Sequence, residues 1–161
     1  MITYQWEPLG KALREPNIND LLLAHWYELA VHKDDPRMQL DPDYELMYNA
    51  EKVGMFKVWT ARDRAMNDLL VGYIAFWIRP HVHYKTVRTA VEDLFFMSPN
   101  YRKGLVGYKL WATVIPALKE HGVHRIVTHS KLHFEKDRGG LAKVFQRLGF
   151  EPMDMLYSRM L

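Results

Sequence analysis

The sequence predicts a single α/β (α+β) domain over residues 1–161, with a mixed sheet and helices on both faces. Three observations predict it. Apolar, aromatic and β-branched runs of strand length occur at residues 69–78 and 87–97. Segments of helical period flank them, and in one of these Leu110, Val114 and Leu118 share a face. The order is helices first, then strands, then a β-α-β-α-β half, which suits a layered sheet.

Residues 1–5 read as a short strand. Residues 17–31 read as a helix, capped by Asn17 or Asn19, with Leu22, Trp26, Leu29 and Ala30 at helical spacing. Residues 42–53 read as a second helix closed by Gly54. Residues 56–61 alternate as a strand does, residues 63–68 are turn-like, and residues 69–78 are a central strand, so the pair forms a hairpin. Residues 87–97 are the next strand. Residues 105–120 are helical, with Pro116 inside to bend the helix or weaken it, and Gly122 ends it. Residues 125–129 are β-like, residues 138–148 helical with Gly149 at the C-cap, and residues 155–160 the last strand.

A chain of 161 residues suits one domain with one core, and 48% hydrophobic with 25% charged residues is an ordinary globular composition. No repeat or Gly/Ser linker divides it. No apolar run approaches the roughly 18–20 residues a membrane span requires. The first residues lack a basic region followed by an apolar block, so no secretory leader is expected. There is no cysteine. That excludes disulfides, thiolate metal sites and cysteine nucleophiles, and it fits a cytoplasmic protein. The net charge of +3 suits an anionic ligand, whereas the lack of a long Lys/Arg block argues against nucleic acid as a partner.

The most informative stretch is residues 91–109, VEDLFFMSPNYRKGLVGYK. An apolar strand ends at Ser98-Pro99, a basic turn with Gly104 and Gly107 follows, and a helix then begins. Backbone N–H groups at a helix N-terminus lack helical partners, and the helix dipole favours negative charge there. With Arg102 and Lys103 beside them, a phosphate or pyrophosphate is the natural ligand.

This half of the chain resembles the GCN5-related N-acetyltransferase (GNAT) family, and its small bacterial or phage-encoded members in particular. The residues that carry the resemblance are Phe95-Phe96-Met97-Ser98-Pro99-Asn100-Tyr101-Arg102, then Gly107, then Phe145-Gln146-Arg147-Leu148-Gly149-Phe150-Glu151. The family's loop reads Arg or Gln, two residues, Gly, one residue, Gly or Ala. Arg102 and Gly107 take the first and last places. Leu105 replaces the first glycine, and Gly104 lies one residue earlier.

The resemblance implies a mostly antiparallel sheet and acetyl-CoA as cosubstrate. It places the pyrophosphate on the N–H groups of Arg102, Lys103, Gly104, Leu105, Val106, Gly107 and Tyr108. The pantetheine arm pairs with the backbone near Phe95, Phe96 and Met97, with Ser130 near the cofactor. It implies direct transfer of acetyl to a primary amine of a small-molecule or protein acceptor, and a homodimer is possible. The amine must be deprotonated to attack. Glu92 and Asp93 precede the loop on opposite faces of their strand, and Glu92 is the expected base. The usual acid is a tyrosine five residues before the Phe of Leu-Gly-Phe. That position is Phe145, so another group or water must donate, with Tyr157 the expected group and Tyr108 and Ser130 further candidates. The rival reading is a non-catalytic module of the same fold.

His81 and His83, and His129 and His133, are spaced as pairs, but no carboxylate pattern or HExxH motif supports them, so no metal is expected. Trp26, Trp59, Trp77 and Trp111 read as core or pocket walls.

Overall fold

The computed structural model describes residues 1–130 and 140–161. Its elements are β1 (Ile2–Glu7), α1 (Leu9–Ala12), α2 (Ile18–Leu29), α3 (Tyr44–Lys52), β2 (Phe56–Asp63), β3 (Leu69–His81), β4 (Tyr84–Met97), α4 (Val106–Glu120), β5 (Arg125–Val127) and α5 (Leu141–Arg147). The five strands form one sheet in chain order. Every pair is antiparallel except β4 with β5, which is parallel.

Alternation along the strands gives the sheet two apolar faces, and each face has its helices. On one, Trp59, Ile74, Phe76 and Ile78 pack against Leu110, Trp111, Val114 and Leu118 of α4, with Phe145 of α5. On the other, Phe56, Val58 and Ala75 meet Leu9 and Ala50, while Leu70, Tyr73 and Phe96 meet Ile18 and Leu21. The expected stripe on α4 is therefore a core stripe, and α4 runs unbroken through Pro116.

Local chemistry sets the element ends. Asp43 accepts the Leu46 N–H at 2.9 Å and caps α3, and Gly54 follows at φ 73°. Asn17 stands at the N-cap of α2 but does not cap it with its side chain. Its amide donates instead to the Leu70 carbonyl at 2.8 Å and ties α2 to the sheet.

Three expectations need correction. The short helix α1 was not foreseen; it follows Pro8 and buries Leu9 and Ala12. Strands β3 and β4 extend past residues 78 and 87 into a long hairpin. Residues 155–160 form no strand, and Met155, Leu156 and Tyr157 are exposed. Their apolar alternation is of strand type, but no sheet edge pairs with them among the described residues. The first two residues expected in the last helix, 138 and 139, lie outside the described residues.

One charged cluster is buried. Arg62, 2% exposed, gives Nε and Nη2 to the two carboxylate oxygens of Glu7 at 2.7 Å each, and Nη2 also reaches Glu15 at 2.8 Å. Burial alone would raise the Glu7 carboxyl; the hydrogen bonds from Arg62, Gln5 and Lys11 outweigh it and bring the pKa down to about 2.

Candidate active site

The site begins where the sheet opens. β4 and β5 pair only at Thr89–Arg125, Ala90–Ile126 and Val91–Val127. β4 then continues to Met97 while β5 stops, so the strands part at Glu92. A β-bulge sits at the same point: Phe76 pairs with Glu92 and Ala75 with Leu94, leaving Asp93 as the extra residue.

The two carboxylates have different surroundings. Glu92 shares the face of Phe76, is 4% exposed, and accepts the Thr128 hydroxyl at 2.9 Å, with His129 Nδ1 at 3.5 Å. Partial desolvation pushes the Asp93 carboxyl above its ordinary value, against a smaller lowering influence of the Trp77 indole.

The loop after β4 is anchored at several points. Ser98 N–H donates to Val71 at 2.8 Å, and the Tyr101 hydroxyl to Asp63 at 3.1 Å. Gly104 takes the left-handed turn, φ 89°, while Leu105 has an ordinary φ of −109°. Leu105 therefore needs no glycine: the positive φ falls one residue earlier, on Gly104. No side chain caps α4, and its first internal bond runs from Lys109 N–H to the Leu105 carbonyl at 2.8 Å. The N–H groups of Val106, Gly107 and Tyr108 are the orphan donors of that helix end.

Arg102 is placed differently from its expected role. Its Nη1 and Nη2 each lie 2.6 Å from a Glu28 carboxylate oxygen, and its Nε donates to the Met97 carbonyl at 2.8 Å. The guanidinium holds the loop to α2.

A cavity of about 850 Å³ joins these parts. Glu92, Phe95, Phe96, Met97, Arg102, Gly104, Leu105, Gly107 and Tyr108 all line it, so most of the residues singled out in the sequence converge here. Lys103, Val106, Ser130 and Tyr157 are not in its wall. Val106 packs on the core, and Tyr157 is 87% exposed. The wall also includes His25, Trp26, Tyr44, Tyr73 and Asp93. His25 Nδ1 lies 2.8 Å from the Tyr73 hydroxyl, and its ring stacks on Phe96 at 5.0 Å. Burial pushes the Tyr73 phenol up. A second hollow, about 650 Å³, lies between the end of α4 and β5 and includes none of these groups.

Sequence reasoning missed Glu28, His25 and Tyr73. His25 and Glu28 are three apart on α2, but their partners lie on other elements and leave no local signal. Among the described residues no three His, Asp or Glu side chains converge as a metal site. His81 and His83 sit at the β3–β4 hairpin end, where the His81 ring accepts the His83 N–H at 3.1 Å. His133 lies outside the described residues. Trp59 and Trp111 are core, and Trp26 is a cavity wall.

The end of the parallel β4–β5 pairing, a bulged strand and an uncapped helix start come together at this cavity. The Acetyltransferase (GNAT) family profile matches residues 18–150, and the chain belongs to that family. No curated protein matches it in sequence. Solved structures share the fold at low identity. A ribosomal-protein-alanine N-acetyltransferase from Brucella melitensis biovar Abortus 2308 has a TM-score of 0.69 at 15% identity, covering 100% of both chains. A predicted acetyltransferase from Clostridium acetobutylicum, solved with acetyl-CoA, has 0.65 at 15%, covering 99% of this chain and 96% of that one. An aminoglycoside acetyltransferase from an uncultured soil metagenomic sample, in complex with sisomicin, has 0.69 at 12%, covering 99% and 97%. At these identities the likeness is one of fold. No helix among the described residues is long and apolar enough to cross a membrane.

Proposed function

We propose that the protein is an acetyl-CoA-dependent N-acetyltransferase that acetylates a primary amine by direct attack on the thioester. The observation that carries this reading is the opening of the sheet at Glu92 beside an uncapped helix start, both in one cavity. Acetyl-CoA supplies the acetyl group as a thioester whose C–S bond breaks as the new C–N bond forms.

The residues present fit that cosubstrate. The N–H groups of Val106, Gly107 and Tyr108 receive the pyrophosphate, with Lys103 adding charge and Arg102 fixing the loop. Gly107 keeps the helix start bare for a close approach. The β4 backbone at Phe95–Met97, beyond the reach of β5, holds the pantetheine amides, and an N–H there stabilises the oxyanion.

Glu92 takes the proton from the attacking amine through a water, with Thr128 and His129 holding its carboxylate. Tyr108 lines the cavity at the pyrophosphate end and Tyr157 lies away from the wall, so water protonates the leaving thiolate and Tyr157 is the weaker candidate. Ser130 follows His129 and stays a candidate cofactor contact. Calorimetry with acetyl-CoA tests the reading, followed by release of free thiol in the presence of amines. No heat at millimolar acetyl-CoA rejects it.

One observation favours a second reading, a coenzyme A-binding module without turnover. Phe145, at the position of the usual acid, is 8% exposed and packs edge-on against Trp111 at 5.4 Å. Binding without thiol release is its signature.

A further inference from the structure

We infer that the far end of the β3–β4 hairpin is an arm that binds a single strand of nucleic acid. This does not depend on acetyl transfer.

Strand register makes the arm. β2 pairs with β3 no further than Trp77, opposite Phe56, and β5 begins at Arg125, opposite Thr89. Between those limits, residues 79–87 have ladder partners only within the hairpin. The chain has no Asp or Glu between Asp68 and Glu92, while Arg79, Lys85 and Arg88 fall in that stretch. Thr89 stands opposite Arg79 on one side and Arg125 on the other. Residues in register share a face, so these two arginines flank Thr89, two strand spacings or about 10 Å apart. Arg88 turns to the end of α4, where its Nη1 donates to the His121 carbonyl at 3.1 Å. The smaller hollow lies at this root, with Lys119, His124 and Arg125 in its wall. Glu120 is the one carboxylate in residues 119–125. No Lys/Arg block is visible in the sequence because strand pairing is what brings these cations together.

Elsewhere the arginines are neutralised: Arg37, Arg62, Arg64 and Arg102 each hold a carboxylate. Among the described residues no carboxylate pairs with Arg79, Lys85, Arg88 or Arg125. Unpaired cations on a projecting ribbon suit a phosphate backbone. The tip adds rings. His81 lies 4.6 Å from Tyr84 and 5.9 Å from His83, and Tyr84 is 61% exposed. Exposed rings among cations offer stacking faces to unpaired bases, which an acidic peptide does not use. Val82 is the one large aliphatic side chain exposed on the arm, too little apolar surface to anchor it in a lipid membrane.

The test is fluorescence anisotropy of the full chain with a labelled oligouridylate of about 15 nucleotides. Binding should show a Kd of about 10 µM at low salt, and log affinity should fall with log salt at a slope of about −2, for three phosphate contacts. Arg79→Gln combined with Lys85→Gln should reduce that slope by about 1.4. Tyr84→Ala should weaken binding about 10-fold and leave the slope unchanged, since it removes stacking and no charge. The arm residues do not line the larger cavity, so acetyl-CoA affinity should not change in these variants. Should a variant fail to fold, competition on the wild type decides. Unlabelled strand should displace the probe, and a duplex of equal length, poly-glutamate and phosphatidylglycerol vesicles should compete less well at equal charge. No binding at about 100 µM protein, competition by any of those three as effective as by the strand, or unchanged affinity in Tyr84→Ala overturns the inference.

Discussion

Arg102 and Glu28 are 74 residues apart in sequence and meet in a two-pronged ion pair, both contacts 2.6 Å. The pair bridges the loop before α4 to α2, which also lines the cavity. The guanidinium also lies over the Phe96 ring at 5.2 Å, and Phe96 stacks on His25. The loop before α4 and helix α2 are thus packed on one another through these side chains.

A double-mutant cycle should register this link. Glu28→Gln and Arg102→Gln should show a coupling of about 1 kcal/mol in urea unfolding, as a partly buried bidentate pair exceeds an open surface pair. Acetyl-CoA affinity should fall in both variants, because the loop loses its anchor. Additive effects on stability would mean the pair contributes nothing.

The loop's two glycines should separate by mechanism. Gly104→Ala meets no neighbour within 4 Å but is held at φ 89°, so it should cost about 1 kcal/mol of stability. At Gly107 an added Cβ would stand 3.4 Å from Phe95, an ordinary contact. Gly107→Asp should therefore fold normally and weaken acetyl-CoA binding at least about 10-fold by charge, through repulsion at the helix start. Unchanged affinity would remove the pyrophosphate from this helix end.

Acid stability should depend on Glu7. Its folded pKa of about 2 lies below the reference 4.5, so its contribution is present above pH 4.5 and lost as pH falls toward 2. The size is on the order of 3 kcal/mol. Glu7→Gln should lower stability at neutral pH and flatten the fall in stability between those values, read from urea midpoints across pH. A variant with the wild-type slope would place the acid sensitivity elsewhere.

Catalysis should divide Glu92 and the two tyrosines. Glu92→Gln should lower kcat by about 10²-fold with acetyl-CoA affinity nearly intact. Tyr108→Phe and Tyr157→Phe should both leave thiol release unchanged, since Tyr108 stands at the pyrophosphate end and Tyr157 is outside the cavity wall. A wild-type rate and acidic limb in Glu92→Gln would assign the proton to solvent and the rate to positioning.

Much of the fold was legible because its signals are local. The stripe of Leu110, Val114 and Leu118 announced a packed helix, and all three are fully buried. The turn at Gly104 and the uncapped start of α4 were visible as a strand, a glycine and a helical period in succession. The strand expected at residues 155–160 was read from alternation alone, and alternation gives no partner.

The sequence by itself determined the family, the two-faced sheet and the place of the glycine-bearing loop before α4, since periodicity, glycine positions and helix starts depend on near neighbours. Tertiary structure alone decided that Arg102 binds Glu28, that His25 meets Tyr73, and that a bulge falls at Asp93. Each of those depends on register or on contacts between distant segments. A side chain's charge is written in the sequence, but what neutralises it is set by packing.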